Sequence, residues 1–325
     1  MKYVLRLALV ALALAGVQLA LPSAASAAGC FWVGGTGTWD NTNTGGGGTG
    51  GIKWASASGG GTACAATSGP ASGVPGPSDT VTFDGSSGGG TVTMNGTYSG
   101  CTGSANICLT SMTTSAFTGT IDNTVNNNKF YASSLGTSWT DSNSGSHVVK
   151  LGSGTWTLAG TAGFSGTSSI VAGTSTFVFS GAWNQQISTG TGTAFYNLTL
   201  GPNLGSLNVI VGYGGGVAGT SVTNILNITG SNYIITIPTS SSTINSITGG
   251  GTAFNAAPII ESAAPTNGAQ GTISLTNASS ISWVTMVSMH FTTSTLTATN
   301  SFDAGNNTGT AITGPSGGGR GIIGG

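Results

Sequence analysis

Ser153-Gly154-Thr155-Trp156-Thr157-Leu158 and, one turn cluster later, Ser175-Thr176-Phe177-Val178-Phe179-Ser180-Gly181 set the reading of this chain. In both, large apolar side chains stand at every second position. A period of two belongs to a β-strand, whose successive side chains point to opposite faces. Both segments are bounded by Ser or Gly, so they read as variants of one strand-plus-turn unit. The same alternation recurs at residues 80–83, 91–94, 147–151, 195–200, 207–211, 225–228, 233–237, 272–275 and 295–297. β-Branched and aromatic residues dominate these runs, and Gly, Asn or Ser clusters separate them. Beyond residue 27 there is no 3.6-residue apolar stripe. The chain is expected to be all-β.

The runs are short, roughly ten residues apart and loosely repetitive, which predicts a solenoid whose coils bury their inward side chains against the coils above and below. Asn, Ser and Thr suit the corners, where they can satisfy backbone groups. A pair of β-sandwiches is the alternative, because it fits the same strand spacing. Charge is scarce. Asp, Glu, Lys and Arg make up 4% of the 325 residues, against roughly 25% in an ordinary soluble domain. Stacked coils place like over like, and aligned like charges repel.

Lys2 and Arg6 precede an apolar run from Leu7 to Leu21, and Ala25-Ser26-Ala27 supplies a small-x-small site. This reads as an export signal, residues 1–27, cleaved before Ala28. The apolar run is shorter than the roughly 20 residues a membrane helix needs, so no membrane span is expected after cleavage. Ala27-Ala28-Gly29-Cys30 also suggests a lipoprotein at Cys30, with Ala27 where that signal usually has Leu. Cleavage removes Lys2 and Arg6, leaving four basic residues against seven acidic ones, a formal charge of −3. That balance lacks the basic footprint of a nucleic-acid binder.

The mature chain keeps Cys30, Cys64, Cys101 and Cys108. An even count behind an export signal predicts two disulfides, and three pairings are possible. The neighbour pairing, Cys30–Cys64 with Cys101–Cys108, is the expectation. No metal site is expected, since there is no C-x-x-C motif and no histidine nearby. Residues 28–120 hold all four cysteines with Trp32, Trp39 and Trp54, and read as an N-terminal cap with the first strands. Residues 121–310 read as the solenoid, and 311–325 as a Gly-rich tail.

Phe31-Trp32-Val33-Gly34-Gly35-Thr36-Gly37-Thr38-Trp39-Asp40, Pro77-Ser78-Asp79-Thr80-Val81-Thr82-Phe83-Asp84 and Ser301-Phe302-Asp303-Ala304-Gly305-Asn306-Asn307-Thr308-Gly309 carry a resemblance. They resemble Gly/Thr-rich β-helical proteins of bacterial surfaces and phage appendages, and the strand repeats of autotransporter passengers. The resemblance implies a right-handed parallel β-helix and a surface or appendage location. It carries no catalytic residues across, and nothing here resembles an autotransporter's membrane barrel.

The chemistry on offer is thin. Asp79 and Asp84, the closest acids, fall on opposite faces of a continuous strand and suit turn chemistry. Asp122 and Asp141 are candidates to approach from adjacent coils. Gly85-Ser86-Ser87-Gly88-Gly89 matches G-x-S-x-G without the strand-to-helix elbow a nucleophile needs. His147 begins a strand, and His290 reads as a strand residue beside a packed face. Trp156 and Trp183 read as core, whereas Trp39 and Trp139, flanked by polar turns, are the candidates for stacking on sugar rings. A secreted, non-enzymatic scaffold or adhesin is therefore expected, without cofactor. Its expected partners are polysaccharides or other surface proteins, with homo-oligomers a further option. A polysaccharide lyase or glycosidase is the enzymatic alternative, requiring converging carboxylates or a carboxylate beside Lys129 or Lys150. A prophage-derived virion appendage is the third reading.

Overall fold

The computed structural model describes residues 27–315 apart from 100, 143–145, 166–168, 182–184, 190–193, 202–206, 212–220, 231 and 254–255. The export signal up to residue 26, Trp183 and the tail from 316 lie outside the described residues. Among the described residues there is no α-helix, and the strands form sheets of twelve, nine, five and three members. No helix there is long and apolar enough to cross a membrane.

Strands adjacent in sequence do not pair with one another. Thr80–Phe83 lies in the twelve-stranded sheet, Thr91–Met94 in the five-stranded and Ile107–Leu109 in the nine-stranded one. Ser111–Thr114 then returns to the first sheet and pairs in parallel with Thr80–Phe83, Thr80 opposite Ser111. A circuit thus visits three sheets and advances by one strand. Past Ser169–Val171, the last member of the five-stranded sheet, the circuits carry two strands each among the described residues. The nine-stranded sheet's members lengthen there to Ala194–Leu200, Ser221–Ile228 and Ser242–Gly249. Register shifts at Phe195/Asn197 and Val222/Ile225 interrupt these ladders, and such bulges bend a strand. A third strand returns at Ser279–Ser282, which opens the three-stranded sheet beside Gly250.

The ladders are parallel except where Trp54–Ala55 pairs antiparallel with Gly29–Trp32. The β-sandwich alternative needs antiparallel sheets and does not describe this topology. Parallel ladders run unbroken across residue 120, so the cysteine-rich region shares one stack with the later strands.

Inward positions stack in columns along each sheet. In the nine-stranded sheet the successive partners are Ile107, Phe130, Trp156, Phe177, Leu198, Leu226 and Ile247, all buried. Trp156 and Phe177 lie 4° from coplanar with centroids 6.4 Å apart. A parallel stack ends in an unpaired edge that invites another chain. At the N-terminal end, Trp54–Ala55 covers that edge. Trp54 packs edge-on against Trp32 and Trp39 at 5.0 and 5.1 Å, and Cys30 is bonded to Cys64 beside them. Buried Asn43 organises the turn, accepting from the Lys53 and Trp54 amides and donating to the Trp54 carbonyl. The second disulfide, Cys101–Cys108, forms as expected. Both bridges fit an oxidising, extracellular environment. A lipid thioether would need the Cys30 sulfur that Cys64 already holds.

Candidate functional site

Trp39 and Trp139 are not surface platforms. Both are 0% exposed, which corrects the expectation that they stack on sugars. Thr38 beside Trp39 and Thr140 beside Trp139 are the outward half of a strand alternation rather than exposed turns, whereas Ser138 is itself buried at a register shift, its hydroxyl donating to the Ser134 carbonyl. Trp39 donates its indole N–H to the Tyr98 hydroxyl at 2.7 Å, and Trp139 stacks on Trp156 with centroids 5.6 Å apart. Trp156 is core, as expected.

Apart from Glu261, the carboxylates are engaged locally. Asp79 is buried and accepts from the amides of Ala28 and Gly76 and from the Ser68 hydroxyl. Asp84 caps a 3-10 turn over Gly85–Ser87, where Ser87 bonds back to it. The G-x-S-x-G match is therefore a capped turn. Asp303 accepts from the Gly305 amide and the Asn307 side chain. Burial pushes the Asp40 carboxyl up, but hydrogen bonds from Lys53 and Thr42 outweigh it and hold the group below its ordinary value. Asp122 shows the same balance, with Thr124 and Lys150 outweighing burial. Glu261, half-buried, is raised by burial. His290 is half-buried on Met289–Thr292, between buried Met289 and Phe291.

Asp122 and Asp141 belong to different sheets and face different partners. Asp122 sits opposite Lys150 in the ladder, with its carboxylate 3.2 Å from the ammonium. Asp141 points inward, its carboxylate 3.6 Å from His147 Nε2, and both side chains are fully buried. Among the described residues no three His, Cys, Asp or Glu side chains stand together as a metal site would require.

A concave feature with polar and aromatic lining lies on the outer face of the nine-stranded sheet. Phe130–Ala132 and Thr155–Leu158 are adjacent there, with Phe130 opposite Trp156 pointing inward. Alternation then turns Lys129, Tyr131, Thr155 and Thr157 outward as a patch of four. The Cys101–Cys108 loop folds over this face, with buried Cys108 opposite Tyr131. Asn106 fixes the loop: its amide donates to the Lys129 carbonyl at 2.7 Å, and its side chain accepts from the Lys129 amide at 2.9 Å. Between loop and patch is a cavity of about 170 Å³ lined by the four outward residues with Thr102 and Gly103. No carboxylate lines it. The sequence signal for this site was available in the alternation Lys129-Phe130-Tyr131. What it could not show was that a disulfide-closed loop overhangs that strand.

No protein-family model matches this chain, and neither a curated protein nor a solved structure matches it.

Proposed function

We propose that the chain is a secreted, non-enzymatic right-handed parallel β-helix that serves as a surface scaffold or adhesin and binds glycans along its lateral faces. The observation that carries this reading is the outward column of the nine-stranded sheet. Tyr131, Thr157, Val178, Thr199, Asn227 and Thr248 succeed one another across neighbouring strands. With strands about 4.8 Å apart, that column runs for about 24 Å. It offers short hydroxyl and amide groups beside one aromatic ring, a surface suited to many weak contacts with a linear polymer. Right-handedness is what parallel strand–crossover–strand connections adopt in nearly every case. The scaffold role is supported by the local engagement of all the acids but Glu261 and by the buried apolar columns of the nine-stranded sheet.

The test uses residues 28–325, oxidised and purified, incubated with a panel of bacterial and plant polysaccharides. Retention is measured alongside released fragments by mass spectrometry. Retention without fragments is expected. Fragments would replace the adhesin with a lyase or glycosidase, and the absence of both signals would leave an inert structural layer. Fractionation that finds the mature protein confined to the cytoplasm would remove the surface location.

A further inference from the structure

Three lysines lie among the described residues, and two are neutralised. Lys53 is buried against Asp40 at 2.8 Å, and Lys150 pairs with Asp122. Lys129 is exposed, and no ion pair engages it among the described residues. It stands at the cavity beneath the disulfide loop, two residues from Tyr131 on the same face, in a mature chain whose formal charge is −3. A cation held in a net acidic protein, beside an aromatic ring and two hydroxyls in a cavity that no carboxylate lines, is a specific local composition.

We propose that this cavity is a subsite for one carboxylated sugar residue of an acidic polysaccharide. Lys129 pairs with the sugar carboxylate, the Tyr131 ring packs against the sugar, and the Thr155 and Thr157 hydroxyls exchange hydrogen bonds with the sugar hydroxyls. The assignment rests on the glycan-binding reading above and names its substrate class. Size agrees with it: about 170 Å³ is below the roughly 300 Å³ at which pockets for drug-sized ligands begin. The cavity therefore takes one ring, and the rest of the polymer lies along the Thr/Asn column that starts at Thr157.

The disulfide acquires a purpose in this arrangement. A bridge closing so short a loop constrains the unfolded chain less than a long-range one. Its larger effect is to hold residues 102–105 over the sheet as the cavity wall. A wall fixed before binding spares the ordering cost that a mobile loop would charge against affinity.

The experiment is calorimetric titration of the oxidised mature chain with tetragalacturonate, its methyl ester and neutral cellotetraose. Wild type is compared with Lys129→Gln, Tyr131→Ala and Lys150→Gln. The acidic tetramer is expected to bind more tightly than the other two, with an advantage that shrinks at high salt. Lys129→Gln should weaken it about five-fold and remove its advantage over the ester, as loss of an exposed ion pair would. Tyr131→Ala should weaken all three ligands, and Lys150→Gln none. Should Tyr131→Ala misfold, the surface change Lys129→Gln and the ester comparison still decide. Acidic-tetramer binding untouched by Lys129→Gln and Tyr131→Ala, or a preference for the neutral ligand, overturns the subsite while glycan binding stands. A wild type that retains no oligosaccharide and no polysaccharide overturns both.

Discussion

His147 Nε2 faces the Asp141 carboxylate at 3.6 Å in the interior of the stack, with neither side chain exposed to solvent. Asp141 occupies an inward ladder position between Thr114 and Phe164, and the Phe117 ring packs 6.0 Å from the imidazole. Few other titratable side chains are so completely enclosed in a core otherwise built of aliphatic and aromatic groups.

Stability should therefore fall in mild acid. Burial lowers the His147 pKa from 6.5 to about 4, because the charged imidazole loses its hydration. Between those values the unfolded chain holds a proton that the native chain does not. Stability consequently rises with pH through this window and is lost as pH falls from about 6.5 toward 4. The full effect is on the order of 3 kcal/mol. Urea unfolding at pH 7, 6, 5 and 4 checks it: wild type should lose stability steadily, and His147→Gln, whatever its absolute stability, should show a much flatter profile. Equal slopes would assign the acid sensitivity elsewhere.

Trp39 and Trp139 should report on stability rather than on binding. Each is fully buried, and truncating a buried Trp to Ala costs roughly 3–5 kcal/mol. Trp39→Phe should cost less, by losing the indole bond to Tyr98 and leaving that hydroxyl without its donor. Denaturant midpoints should therefore lie lower for the two alanine variants than for Trp39→Phe, with glycan retention unchanged wherever the variant remains folded. Lost retention in a folded Trp39→Phe would restore the tryptophan to the binding surface.

Strand identity was legible because period two is a local property, and the parallel stacking because the units resemble one another. The disulfide pairing was legible from neighbour spacing. Trp139 was misread because Ser138, Thr140 and Asp141 around it are all polar, so no second apolar residue marks the inward face as Leu158 does beside Trp156. The Asp141–His147 contact was hidden, since an inward-facing acid violates the pattern by which faces are assigned. The change from three to two strands per circuit was hidden as well, because alternation is the same in both. The scarcity of charge has a visible consequence in the ladder: where charges do meet in register, at Asp122 and Lys150, they are opposite.

Gly249 should be intolerant of any side chain. It sits opposite Ile228 at the end of its strand with φ at 94°, and a Cβ there would fall 2.0 Å from the Ile228 carbonyl oxygen. The clash is with backbone of the adjacent strand, which cannot rotate away. Gly249→Ala therefore combines left-handed strain with separation of two paired strands, and a loss above about 2 kcal/mol is expected. Gly268, also at positive φ but facing open space, is the control: alanine there should cost about 1 kcal/mol from conformation alone. Similar losses at the two sites would show that strand spacing adjusts to the extra carbon.

Asp79 should link maturation to stability. Its carboxylate is 2.9 Å from the Ala28 backbone nitrogen and is enclosed by the Gly76 amide and Ser68 hydroxyl. Cleavage of the expected export signal before Ala28 would turn that amide into an α-ammonium, converting a neutral donor into a charged one at the same place. A backbone amide bonded to a carboxylate is already charge-assisted, so the gain on cleavage is the added attraction between opposite charges. The mature chain should then be more stable than one extended by a residue ahead of Ala28, by about 1 kcal/mol. Asp79→Asn should erase the difference, because an amide neither pairs with the ammonium nor accepts at both oxygens. Melting temperatures of the four proteins close the cycle. Extended and mature wild type melting together would show that the Ala28 nitrogen contributes as a backbone donor alone, and N-terminal sequencing of the secreted protein would then locate the true first residue.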